Sequence, residues 1–465
     1  MATDDGSLAR LAPLQREIRR YGTVFEHRAH RSVPDSVDEI ARHLADAEII
    51  GLGEATHGTR EIVELKAALV KSLISKEGLR LVCLEAGFAA TLDINAYVLG
   101  RTAPTASPLA DDHVHHPFKV ETMADLLEWI REFNADRPPQ DRVRIHGIDN
   151  QHAEPAVAVL RTVLAELQPE AAAEVHEALD ILDGSMAADM DEAALAAHLA
   201  ARQRTVGAVL SFLETAHLDD LPGRYVRDEQ LLRRLCWSLE QGYDQLDAAR
   251  AADAPDTQLR IRDRAMAAQL NWLLEYEDVE QAVFWGHNAH VGCAGRHRSG
   301  LDLSDPIRSV GKRLTDTTER TYNALGILIG GGSVRALHRP TGELRVYEMA
   351  PPPAGSLPGV LRDLTPAGFY IDFDAMPAGS SVAGQLSREQ TNRQVMGTYI
   401  ESPVEQITET VTTQYDGIVF LPETTPTRPL DAMLRPPTIC GDHGLVIEDG
   451  HLTPQVASGT GAPGA

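Results

Sequence analysis

Glu54 and His57 stand three residues apart in the run IIGLGEATHGTREIVELK, where a short apolar stretch gives way to a glycine turn. A carboxylate beside an imidazole makes a base with a partner: the acid fixes the tautomer and raises ring basicity, leaving the other nitrogen to face water or substrate. The helix predicted after the turn disfavours added positive charge at its start, which suits a ring that accepts a proton. Other apolar runs end in the same way. Glu85 falls in VCLEAG, Asp149 in IHGIDN, and His287 and His290 in FWGHNAH. One ionisable group at such a place is ordinary capping or a satisfied buried polar group. Several together are the pattern of a site. Either Glu54 or Glu85 fits as the carboxylate on His57. His287 has two tasks open to it, donating to an oxyanion or leaving group, or helping to hold the nucleophile.

Around this set lie residues suited to substrate. Arg60, in the first turn after His57, could anchor a carboxylate or polarise a carbonyl, whereas Glu61 and Glu64 read as a solvated helix face. His290 is a substrate contact or a supporting histidine, and His116, with His113 and His115 in DDHVHHP, belongs to a loop that could reach substrate. Arg262 and Asp263, in IRDRAMAAQLNWLL, either pair with each other or reach the site. Cys293, in GCAG, reads as a small buried hydrophobe rather than a nucleophile.

The missing motifs narrow the chemistry. There is no GxSxG elbow, no HExxH and no Walker sequence. Gly51, Gly53 and Gly58 do not complete GxGxxG, because Thr56 occupies the third glycine position. His57, Glu85, Asp149, His287 and His290 are acceptable ligands for a divalent ion, but their spacing matches no ligand signature, so no cofactor is expected.

Short apolar runs predict buried strands at Ala47 to Gly53, Leu79 to Ala86, Val143 to Asp149, Gln281 to His287, Asn323 to Ile329 and Gly417 to Leu421. Residues 60 to 76, 119 to 134 and 153 to 167 read as amphipathic helices between them. Repeated strand, loop and helix predict an α/β fold, a mainly parallel central sheet flanked by helices. Between 169 and 280 strand signals vanish, while Leu231, Leu232, Leu235, Leu239, Tyr243 and Leu246 mark one helix face. That stretch is expected to be an all-helical insertion over the active-site end, able to roof a cleft. From Ser333 to about Phe373, VRAL, LRVYEM and FYIDF suggest a small antiparallel element. The expected organisation is therefore core residues 1–168, insertion 169–280, core residues 281–452, and a disordered tail at 453–465.

A chain of 465 residues, 43% of them hydrophobic, can bury a large core. Its net charge of −25 would repel nucleic-acid phosphates and anionic lipid, so the expected partner is a small molecule. Cys83, Cys236, Cys293 and Cys440 form no CxxC pair, and Met1 to Leu11 lacks an apolar leader core. The expected compartment is a reducing cytoplasm.

GLGEATHGTREIVELK, LVCLEAG, RIHGIDNQ, RDRAMAAQLNWLL and FWGHNAHVG, in that order, resemble the erythromycin esterase family. The resemblance runs from about Asp46 to Thr425 and takes in ALGILIGGGSV and YDGIVFLPETTPTR. It implies an α/β fold with a helical insertion beside an active-site cleft, and hydrolytic opening of macrolide lactones without a covalent enzyme intermediate. It further implies that His57 deprotonates water, that Glu54 and Glu85 position or polarise it, and that His287 is a second essential imidazole. Phe118 to Glu121 stands where many relatives are rich in tryptophan, and the stretch from 169 to 280 is where such proteins differ most; both shape the pocket.

The first expectation is thus a cytoplasmic esterase or lactonase acting on a natural product. Three others share the site: a tailoring enzyme that eliminates or cyclises, a metal-dependent peptidase-like hydrolase, and a silent protein that only binds.

Overall fold

A computed structural model describes residues 5–25, 34–102, 109, 114–151, 153–167, 172–183, 190–215, 229–250, 256–294, 307–338, 341–353, 356–364, 367–395, 397–399, 406–430, 445–448 and 451–454. His113 and the tail beyond Pro454 lie outside the described residues.

Eight strands form the main sheet: β1 (Thr23–Phe25), β2 (Ile49–Leu52), β3 (Leu81–Gly87), β4 (Arg144–Asp149), β5 (Ala282–Trp285), β6 (Tyr322–Ile329), and two further ones at Gly368–Asp372 and Gly417–Leu421. The hairpin partners β7 (Gly332–His338) and β8 (Glu343–Met349) stand apart, so the last two sheet strands are β9 and, after the separate pair β10 (Gln390–Arg393) and β11 (Gln406–Glu409), β12. The order across the sheet is β1-β9-β12-β6-β2-β5-β3-β4. From β12 to β4 every neighbouring pair is parallel. β2, β5 and β12 are buried along their whole length, which is why they read as unbroken apolar runs rather than as alternation.

Parallel pairing sends the carboxyl ends of these strands to one edge. Register sharpens this, because Leu52 and Leu84 both lie opposite Trp285. Glu54, Glu85 and His287 therefore leave the sheet at nearly the same level.

One expectation needs correcting. FYIDF does not join VRAL and LRVYEM; β9 enters the main sheet, antiparallel to β12 and β1. Phe369, Tyr370 and Ile371 are all buried, so both faces of β9 are covered. VRAL and LRVYEM do form the small antiparallel pair, β7 with β8.

The chain divides into two compact units, Met1–Asp149 with Asp263–Pro437, and Asn150–Arg262 with Thr438–Ala465. The first holds the sheet. In the second, helices Glu154–Leu167, Ala172–Asp183, Glu192–Thr215 and Glu229–Arg250 bury Leu179, Phe212, Leu232, Leu235 and Leu239. Tyr243 closes that core by donating its hydroxyl to the Leu182 carbonyl at 3.0 Å. Leu246, expected on the same face, is only half-buried, and Gln245 is buried in its place. No helix among the described residues is long and apolar enough to cross a membrane.

Candidate active site

The GEATHG turn is held in place from three sides. Gly53 N–H donates to the Leu325 carbonyl at 2.8 Å, and the Ala55 carbonyl accepts from Val395 N–H at 2.7 Å. At Gly58 a Cβ would meet the Arg335 carbonyl oxygen at 1.6 Å, so only glycine lets β7 pass this close. Gly58 thus serves packing, not a phosphate. Helix Arg60–Ser72 begins two residues later and buries Ile62, Val63, Leu65, Leu69 and Val70. Burying each such side chain stabilises the fold by about 1.5–3 kcal/mol. The helix ends in a widened turn at Leu73–Glu77, closed by Gly78 at φ 85°.

Within this frame the carboxylate on His57 is Glu54: its Oε1 lies 2.6 Å from His57 Nδ1. Its other oxygen takes the Lys66 ammonium at 2.6 Å and the Trp285 indole N–H at 3.2 Å. Lys66 is fully buried and also donates to the Gly286 carbonyl at 3.2 Å, with its nitrogen 4.7 Å from the centre of the Trp285 ring. Burial would raise the Glu54 carboxyl, but the Lys66 charge and the His57 and Lys66 hydrogen bonds outweigh it and hold it below its ordinary value. Burial pushes the Lys66 ammonium down to about 8, against the pull of Glu54 and Glu85. Lys66 was not among the residues singled out from sequence. Its signal was there: Ile62, Lys66, Leu69 and Leu73 fall on one helix face, and a lysine among buried neighbours requires a buried acid.

Glu85 serves the neighbouring strand end. Its Oε2 accepts the His287 backbone N–H at 2.7 Å, and its Oε1 lies 3.1 Å from His290 Nε2. His290 Nδ1 in turn lies 2.5 Å from Asp263 Oδ1. An imidazole with carboxylates at both nitrogens has no ring nitrogen left for substrate and is a support for Glu85. The expectation that His290 contacts substrate is corrected accordingly. Asp263 reaches the site, one of the two outcomes its position allowed.

His287 caps the short helix Asn288–Val291: its Nδ1 accepts the Ala289 N–H at 3.2 Å, which leaves the proton on Nε2, 3.3 Å from the Val395 carbonyl. Burial, then the charge of His57, pushes its pKa down to about 3, so it stays neutral. Its ring centre is 5.0 Å from that of His57. The next residue, Asn288, also escaped sequence reasoning; its N–H donates to the Glu54 carbonyl at 2.9 Å and its side chain donates to the Ile327 carbonyl at 2.8 Å.

The remaining candidates divide. His116 lines a narrow pocket with His57, Lys119 and Arg335, and removal from water together with the charges of His57 and Lys119 pushes its pKa down to about 3. His115 packs beside both, its ring centre 6.4 Å from that of His57 and 4.9 Å from that of His116. Arg60 pairs with Glu64 at 2.7 Å on its own helix. Glu61, far from being solvated, is buried and accepts from Thr425 N–H and its hydroxyl at 2.7 and 2.5 Å. Burial, aided by Asp416, pushes the Cys293 thiol up to about 12, as befits a packing residue. Among the described residues no group of three or more His, Cys, Asp or Glu is placed to hold a metal.

Fold and site together define an α/β protein with a carboxylate-paired histidine at the carboxyl edge of a parallel sheet. A family model for erythromycin esterase matches residues 74–424, and the chain belongs to that family. It is similar to the "Putative hydrolase YbfO" of Bacillus subtilis (strain 168), 21% identical over 82% of this chain and 85% of the relative. It is also similar to the erythromycin esterase type II of Escherichia coli, 22% identical over 65% of this chain and 74% of the relative. Among solved structures, one of a Bacillus cereus protein has a TM-score of 0.73 at 19% identity, covering 90% of this chain and 99% of that one. A succinoglycan biosynthesis protein has a TM-score of 0.71 at 15% identity, covering 92% and 100%. A mutant of the erythromycin esterase EreC, in its open conformation, has a TM-score of 0.63 at 17% identity, covering 88% and 99%. These structures share the fold, and the family and its hydrolase relatives support hydrolase activity for this chain.

Proposed function

We propose that the protein hydrolyses an ester or macrolactone with water activated by His57 and no covalent enzyme intermediate. The observation that carries this is the 2.6 Å contact between Glu54 Oε1 and His57 Nδ1, on a ring that keeps 13% of its side chain exposed. Nδ1–H donates to the carboxylate, so Nε2 is the acceptor left for a water proton. As water adds to the carbonyl, the proton moves to Nε2 and the Glu54 charge stabilises the imidazolium that forms. Lys66 keeps Glu54 ionised for that purpose. His287 is a neutral donor; its Nε2–H, in only a long contact with Val395, is suited to the developing oxyanion. The departing alkoxide takes up the proton that His57 drew from water. No cofactor enters this scheme, and the ligand is a small molecule such as a natural-product lactone.

The same base could instead take a proton from carbon, as a tailoring enzyme would. The two outcomes separate in oxygen-18 water. A panel of macrolactones and simple esters, followed by mass spectrometry, is expected to yield a ring-opened acid two mass units heavier than its ordinary counterpart. A product without label, or no turnover of any ester or lactone, sinks the hydrolase reading.

A further inference from the structure

A pocket of about 240 Å³ lies against the residues that hold His287, with Asn288, Ala289, Gln394, Glu409, Thr413 and Gln414 in its wall. Neither Glu54, His57, Lys66 nor Glu85 lines it. It is larger than the ~150 Å³ apolar cavity that accepts benzene in an engineered core, yet its wall is polar.

Glu409 ends β11 opposite Gln390 of β10 and is 7% exposed. Its Oε1 accepts from Asn392 Nδ2 at 2.8 Å and from Gln394 Nε2 at a long 3.5 Å. Burial raises its carboxyl above the ordinary value, against the hydrogen bonds of Asn392, Gln394 and Tyr415. A carboxylate in such a place gains from any cation that reaches it. Gln394 supplies a second, independent sign. It is 3% exposed, and its Oε1 has no hydrogen-bond partner among the described residues. A buried carbonyl oxygen without a donor costs about 1–3 kcal/mol, which a bound N–H would recover. Glu389 adds a second carboxylate to the wall, and no lysine or arginine is among the described lining residues. The pocket is therefore rich in acceptors and negative in charge, the wrong surface for a phosphate or a carboxylate.

We propose that this pocket is a second ligand site, which binds a small primary ammonium ion through N–H donation to Glu409 and to Gln394 Oε1. A primary ammonium carries three donors, enough to satisfy both acceptors at once. The occupant would abut one group that holds His287 and the chain neighbour of another. Ala289, whose N–H holds Nδ1, lines the pocket, and Gln394 precedes Val395, whose carbonyl faces Nε2.

The full-length chain is titrated with ethylammonium chloride while the threonine methyl signals are followed by NMR, with Thr408, Thr410 and Thr413 as wall reporters. Sodium, calcium and tetramethylammonium chloride at matched ionic strength serve as controls. Saturable shifts of these methyls with ethylammonium, and none with the controls, are expected. Glu409→Gln keeps the shape but removes the charge, and should weaken binding on the order of tenfold or more while leaving the circular dichroism spectrum unchanged. Gln394→Met provides a second variant should the first not fold, and is expected to weaken binding as well. Absence of saturation with ethylammonium overturns the proposal. So do equal binding of tetramethylammonium, which has no N–H, saturation by calcium instead, and undiminished binding in a folded variant.

Discussion

Two strand ends carry histidines whose ring centres lie 5.0 Å apart, and they treat them in opposite ways. At the end of β2, His57 has a carboxylate on one nitrogen and keeps an open side. At the end of β5, His287 is wholly buried, its nitrogens facing only backbone groups, and burial keeps it neutral. An imidazole that must gain a proton during turnover needs a nearby negative charge to stabilise the cation; one that must only donate does not. The difference supports the proposed roles, base for His57 and neutral donor for His287, where residue types alone left two tasks open to His287. The two glutamates differ as well: Glu54 meets the His57 ring, whereas Glu85 meets the His287 backbone N–H and the His290 ring.

The sharpest way to break this asymmetry is to remove each ring in turn. His57→Ala is expected to lower kcat by about 100- to 10,000-fold, the span typical of a lost general base, with the melting curve little changed. His287→Asn, which can still donate, should lose far less. Steady-state rates of both variants on the best lactone substrate decide it. Equal losses, or a His57→Ala enzyme that turns over at the wild-type rate, would remove the base assignment.

Much of this frame is legible in the sequence. Each parallel strand was visible as an apolar run, because burial on both faces erases alternation, and the ionisable residues where those runs stop marked the site edge. β1 was not visible: three residues, one of them half-exposed, carry no period. FYIDF was misplaced because Asp372 at its end mimics alternation in a strand whose other side chains are all covered. Inside the site, Lys66 and Asp263 were legible in principle as charges on buried helix faces; Asp263 shares its face with Met266, Leu270 and Leu273. The Val395 carbonyl was not, since a backbone acceptor leaves no trace in residue type. Arg60 read as an anchor because helix position alone does not reveal that Glu64, one turn on, already holds it.

Beneath the open histidine sits the second largest expected effect. Lys66→Met leaves the Glu54 charge buried with no ammonium beside it, and removing one partner of a buried ion pair costs about 3–5 kcal/mol. The loss should be greater at pH 8 than at pH 5, because a Glu54 deprived of Lys66 takes up a proton more readily and so relieves itself in acid. Lys66→Met with Glu54→Gln removes both charges and should recover much of the stability. Urea unfolding of the three proteins at both pH values tests this. A single variant that loses less than about 1 kcal/mol would mean that the Lys66 contact with Glu54 does not hold the turn.

The closed histidine makes the smallest and most specific prediction. A His287 pKa near 3 in the folded chain, against about 6.5 in the unfolded one, means that between these values the unfolded state binds a proton that the native state refuses. Stability therefore rises with pH across that window and falls as acid is added. The slope from this one group is about 1.4 kcal/mol per pH unit in the middle of the window. His116, lowered in the same direction, adds to it, and carboxylates such as Glu54 take over below about pH 4.5. His287→Asn cannot titrate, so unfolding free energies measured at pH 6 and pH 5 should converge by about one proton's worth relative to wild type. If His287→Asn keeps the wild-type pH slope, burial does not hold this ring neutral, and the donor role of His287 loses its physical basis.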